Sequence, residues 1–115
     1  MLILKMNDKK QLFITKYGNT FEGENNAESI TVIVPKMLNE IEMVKCACYF
    51  NVLSTNSLDQ LLYQKTINIS PILKDYNNFY LSCEIDISKE LTQKAGQVKF
   101  WIKVTNADNE MIAKT

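Results

Sequence analysis

The sequence contains no histidine and no arginine. Histidine is the side chain whose ordinary pKa lies nearest neutral pH, and it is the commonest metal-binding imidazole. Arginine is the usual bidentate clamp for phosphate and carboxylate groups. A chain with neither lacks the standard parts of most hydrolases, kinases and zinc enzymes, and a triad built on histidine is excluded. Only three glycines are present and none forms a phosphate-cradling loop. Three cysteines, Cys46, Cys48 and Cys83, are an odd set and a poor disulfide framework. Three thiols without histidine are also a poor zinc site, so the expectation is no metal and no cofactor, with the cysteines reduced and buried as small hydrophobes. No apolar run approaches the roughly 20 residues of a membrane span. The opening MLILKM is too short an apolar stretch for a signal peptide. Positive and negative residues balance at 13 each, so no basic excess favours nucleic acid.

What is present is a succession of short alternating segments. The 115 residues suit one domain spanning 1–115. Phe79–Ile87 turns Leu81, Cys83, Ile85 and Ile87 one way and Tyr80, Ser82, Glu84 and Asp86 the other. Gln97–Thr105 does the same with Val98, Phe100, Ile102 and Val104 against Lys99, Trp101, Lys103 and Thr105. Strict alternation of this kind marks strands with one wet face. Val44–Leu53 reads as a long strand with Val44, Cys46, Cys48, Phe50 and Val52 inward. Leu2–Met6, Gln11–Lys16, Ile30–Val34, Leu61–Ile69 and Met111–Thr115 complete the set. Polar turns separate them, and Lys89–Lys94 has room for one helical turn before Gly96. The expected fold is all-β: a two-layer antiparallel β-sandwich of about seven or eight strands, with at most one short helical turn near residues 88–95. The last residues still read as strand, as expected of the N-terminal part of a longer protein.

Three groups of residues are candidate sites. Trp101, Tyr49 and Tyr80 all carry outward parity, and Ile33 is outward on its own strand. Such side chains serve as a protein interface, as a stacking platform for sugars, or simply as cross-strand packing beneath a loop. Glu84 and Asp86 are two apart on one strand. Glycoside hydrolysis sets its two acids across a cleft, so ion pairing with outward Lys99 and Lys103 is the better expectation. Glu22, Glu24 and Glu28 with Asn25 and Asn26 offer oxygens, but at spacings unlike a calcium loop, which leaves a solvated turn.

The stretch FEGENNAESITVIVPK (Phe21–Lys36) and the stretch LTQKAGQVKFWIKV (Leu91–Val104) resemble small β-sandwich domains of phage and prophage proteins of Gram-positive hosts. The type of this family is the N-terminal domain of baseplate upper proteins. The resemblance implies a non-catalytic virion component made in the bacterial cytoplasm and assembled into the tail. Its partners would be other baseplate proteins, and the full-length protein would be a homo-oligomer, with neither nucleic acid nor membrane as a partner. The alternative expectation is a carbohydrate-binding module that uses Trp101 and one or two tyrosines.

Overall fold

A computed structural model describes residues 2–16, 28–87 and 97–115. Its strands are β1 (Leu2–Met6), β2 (Leu12–Lys16), β3 (Glu28–Pro35), β4 (Met37–Leu38), β5 (Ile41–Glu42), β6 (Ala47–Thr55), β7 (Leu61–Asn68), β8 (Lys74–Asp75), β9 (Tyr80–Ile87), β10 (Gln97–Thr105) and β11 (Met111–Lys114). They build a five-stranded sheet in the order β2-β1-β3-β9-β8 and a four-stranded sheet in the order β11-β10-β6-β7, with β4 and β5 as a separate small hairpin. This is the expected all-β sandwich. The eight longer strands are those legible in the sequence; β4, β5 and β8 are two-residue additions.

Each sheet turns its apolar rows toward the other. In the first sheet Leu4, Val32 and Cys83 lie side by side across β1, β3 and β9, and Leu2, Ile30 and Ile85 form the neighbouring row. In the second sheet Phe50 lies opposite Ile102 and Cys48 opposite Val104. All of these belong to a single buried cluster, which Leu38, Met43 and Ile69 close at one end. Period-two alternation is sufficient to place every one of the row residues inward.

Three hairpins share one turn. In β1–β2, β6–β7 and β10–β11 the loop begins with Asn7, Asn56 or Asn106. The side-chain Oδ1 of each accepts from the backbone N–H two and four residues on, at 2.8–3.0 Å. The fourth residue of each loop, Lys10, Asp59 or Asn109, has φ between 61° and 66°. A left-handed residue with a side chain is disfavoured. The two asparagine bonds hold the chain there, so the turn needs no glycine.

Two departures from the sequence expectation have clear causes. First, the strand expected from Val44 begins at Ala47. Met43 N–H donates to Lys36 O at 2.8 Å and Cys46 N–H to Met43 O at 3.0 Å, which closes a 3₁₀ turn over Met43–Lys45. Met43 takes the core position and Val44, expected inward, is 73% exposed. Second, β1 and β3 pair in parallel, whereas an antiparallel sandwich was expected. β1 forms a hairpin with β2 on one side and receives β3 on the other, so one parallel contact enters an otherwise antiparallel sheet. The helical turn expected near 88–95 and the Gly23–Ala27 part of the resemblance motif lie outside the described residues.

The edges differ. β7 is mostly exposed, and its Lys65 occupies an inward position opposite Val52. A lysine pointing inward at a sheet edge discourages pairing with a further strand.

Candidate functional site

The candidate aromatics do not form one platform. Trp101 and Tyr49 lie on the outer face of the second sheet, diagonal to each other, since Trp101 faces Asn51 and Tyr49 faces Lys103. Tyr80 lies on the outer face of the first sheet, on the opposite side of the sandwich. Ile33 has the expected outward parity but is only 4% exposed. Lys5 pairs with Ile33, and its Nζ sits 4.1 Å from the centroid of the Tyr80 ring. The lysine stem thus crosses the Ile33 position to reach the ring, using its methylenes as cover and its charge in a cation–π contact. Ile33 belongs to the interior of this layer rather than to an open interface.

The acids also fall differently from expectation. Glu84 and Asp86 are exposed on β9, in the first sheet, whereas Lys99 and Lys103 are on β10, in the second. The outer faces of the two sheets point in opposite directions, so the expected cross-strand ion pairs do not form. The ion pairs among the described residues are instead Lys36–Asp75 at 3.2 Å and Lys45–Glu42 at 3.0 Å. Of the oxygen-rich turn, Glu22, Glu24, Asn25 and Asn26 lie outside the described residues. No group of three potential metal ligands occurs among the described residues. Cys46, Cys48 and Cys83 are buried free thiols.

Two features of the surface stand out chemically. The first is a depression of about 390 Å³ on the outer face of the second sheet, lined by Tyr49, Asn51, Thr66, Lys103, Thr105 and Asn109. Asn51 is buried in mid-strand, between Trp101 and Thr66 in the register. Its Oδ1 accepts from Thr66 Oγ1 at 2.7 Å, and its Nδ2 donates to the Tyr49 carbonyl at 3.4 Å. Thr105 is 5% exposed, and its hydroxyl makes no hydrogen bond with any described residue. The sequence carried a signal for part of this: asparagine is depleted in strands, and Asn51 interrupts an otherwise apolar run. Nothing marked Thr105, because threonine is an ordinary strand residue.

A buried hydroxyl without a partner is a net cost of about 1–3 kcal/mol. Thr105→Val keeps the shape and removes that hydroxyl. Its expected effect is a gain in stability of about 1 kcal/mol, read as a rise of several degrees in Tm by calorimetry. A fall of similar size would show that the hydroxyl is bonded in the folded protein.

The second feature is an apolar end. The loops that close the sandwich where β3 ends, β6 begins and β9 begins carry Met37, Val44, Ile72, Tyr76 and Phe79, all exposed. Phe79 is 74% exposed. Met37, Phe79, Tyr80 and Pro35 line a second depression of about 370 Å³ together with Asp8. The loops are tied together: Lys36 N–H donates to Phe79 O at 2.9 Å and Tyr76 N–H to Tyr80 O at 3.0 Å. The Lys36–Asp75 pair spans them.

No family model, curated protein or solved structure matches this chain. No helix among the described residues is long and apolar enough to cross a membrane.

Proposed function

We propose that this chain is a non-catalytic attachment module that joins a larger protein assembly through the apolar end of its sandwich. The observation that carries the reading is the set of exposed large apolar side chains on loops at that end, Phe79, Val44, Met37, Tyr76 and Ile72. Apolar side chains gathered at one place on a surface mark contact sites, whereas scattered ones need no explanation. Because backbone hydrogen bonds already hold these loops, docking costs little ordering entropy. The resemblance of Phe21–Lys36 and Leu91–Val104 to baseplate sandwich domains makes a phage or prophage tail the proposed assembly. A homo-oligomeric parent protein would multiply weak contacts into strong attachment. Of the four candidates from the sequence, Tyr80 borders this end, while Trp101 and Tyr49 lie on the far sheet.

Burying one phenylalanine side chain is worth about 1.5–3 kcal/mol, so Phe79→Ser is expected to weaken attachment by about tenfold or more. Phe79 is exposed, so its Tm should hardly move. Analytical ultracentrifugation of the protein, alone and mixed with purified phage tail baseplate proteins, measures this. A parent protein that stays monomeric and binds no tail component sinks the proposal, as does a Phe79→Ser variant that assembles like the wild type.

A further inference from the structure

We propose that the depression around Asn51 and Thr105 binds an acidic saccharide, meaning a sugar ring that carries a carboxylate. This goes beyond the attachment reading and uses different side chains.

Three properties of the depression point to this chemistry. The first is positive charge without a partner. Lys103 lines the depression, and Lys114, beside it but not in its lining, stands directly opposite Lys103 across β10 and β11. Like charges in that position repel. Neither makes an ion pair with a described residue, and the acids of the adjoining turn, Asp108 and Glu110, are not bonded to them. An anion placed between the two ammonium groups relieves the repulsion. The second is a set of hydroxyl-matching groups. Thr105 offers a hydroxyl with both its donor and its acceptor functions unused among the described residues. Thr105 is one of the residues that line the depression. Asn51 Nδ2 has only a long 3.4 Å bond and retains a second N–H. Thr66 and Asn109 add polar atoms at the rim. The third is an aromatic flank. Tyr49 lines the depression and Trp101 adjoins it through Asn51. Aromatic faces pack against the C–H face of a sugar ring, and the partial exposure of both residues leaves them available. A bare anion would use the lysines alone, and a neutral sugar would leave them repelling. A ligand with both a carboxylate and hydroxyls engages the lysines and the hydroxyl-matching groups together.

The test is a titration of the intact chain with sodium glucuronate, followed by backbone and side-chain amide NMR shifts and by Trp101 fluorescence. Glucose, acetate and inorganic phosphate are titrated in parallel. Saturable shifts are expected at Tyr49, Asn51, Thr66, Lys103 and Thr105 with glucuronate, with glucose and acetate each weaker by about tenfold or more. Thr105→Val should weaken glucuronate binding by about fivefold through the lost hydrogen bond, while the protein stays folded. Lys103→Gln should erase the preference for glucuronate over glucose. Shifts that are absent or lie elsewhere overturn the proposal, and so does an unchanged affinity in Thr105→Val. Phosphate or acetate binding as tightly as glucuronate would reduce the site to a simple anion site and overturn the saccharide assignment. None of these outcomes depends on assembly through Phe79, so the two proposals fail separately.

Discussion

Replacing Phe50 with alanine is expected to cost about 3–5 kcal/mol of folding stability. Phe50 sits near the middle of β6, which is flanked by β10 and β7. Its side chain is fully buried, lies between Ile102 and Ile67 in the register, and stacks on Phe100 with ring centroids 5.7 Å apart. Truncation removes both the transfer free energy of the ring and the stacking contact, and it leaves a cavity that two hydrogen-bonded sheets cannot readily close. Domains of this size are stable by only about 5–15 kcal/mol, so the variant stands close to the unfolding threshold. Urea denaturation at neutral pH measures the change as a fall in midpoint at constant slope. Phe50→Leu fills more of the space and should cost clearly less, though more than a volume-conserving swap. A loss below about 1 kcal/mol for Phe50→Ala would mean that Phe50 is not at the centre of the core.

The second large effect is alkaline destabilisation through the buried thiols. Burial pushes the Cys48 thiol from its ordinary 9.0 up to about 12, with the neighbouring Cys83 and Cys46 adding to the shift. Burial likewise pushes Cys83 up to about 11 and raises Cys46. Well below pH 9 the thiols are neutral in both the folded and the unfolded chain, and their contribution to stability is complete. As pH rises from 9 toward 12, the unfolded chain ionises Cys48 and the folded chain does not. Stability therefore falls, by about 1.4 kcal/mol per pH unit from this one thiol. Urea melts at pH 7, 9 and 10.5 should show the decline, and Cys48→Ala should make it shallower, leaving the part due to Cys83, while starting lower at pH 7 because of its small cavity. A wild-type slope unchanged in Cys48→Ala would rule Cys48 out as the source. In the folded protein at pH 8, Cys48 should also react with a thiol reagent far more slowly than an exposed cysteine, because the thiolate is the nucleophile.

Much of the fold was legible because strand alternation is a local property. Leu81, Cys83, Ile85, Ile102 and Val104 could be placed inward from their own neighbours alone, and all five are buried. Polar turns were expected between the strands, but the shared bonding of Asn7, Asn56 and Asn106 became visible only in the structure. The strand start at Val44 misled for a definite reason. An apolar residue in strand parity looks inward, but the Lys36–Met43 backbone bond forces a 3₁₀ turn there, and that bond joins residues seven apart. The candidate site was the least legible part. Trp101 and Tyr49 could be named as outward aromatics. Their meeting with Asn51, Thr66 and Thr105 depends on the register of β6 against both β7 and β10, which no single strand encodes.

By itself the sequence determined the fold class, the inward faces of β9 and β10 and most of that of β6, and the lack of histidine and arginine chemistry. The tertiary structure alone decided which sheet each strand joins. Alternation says only whether a side chain points toward the core or away from it, and “away” means opposite directions in the two layers. Glu84 and Lys103 therefore share an outward parity yet lie on opposite sides of the molecule, as do Tyr80 and Trp101. Ile33 shows the same limit from another side: its parity is outward, and the Lys5 stem, brought beside it by the parallel β1–β3 pairing, buries it.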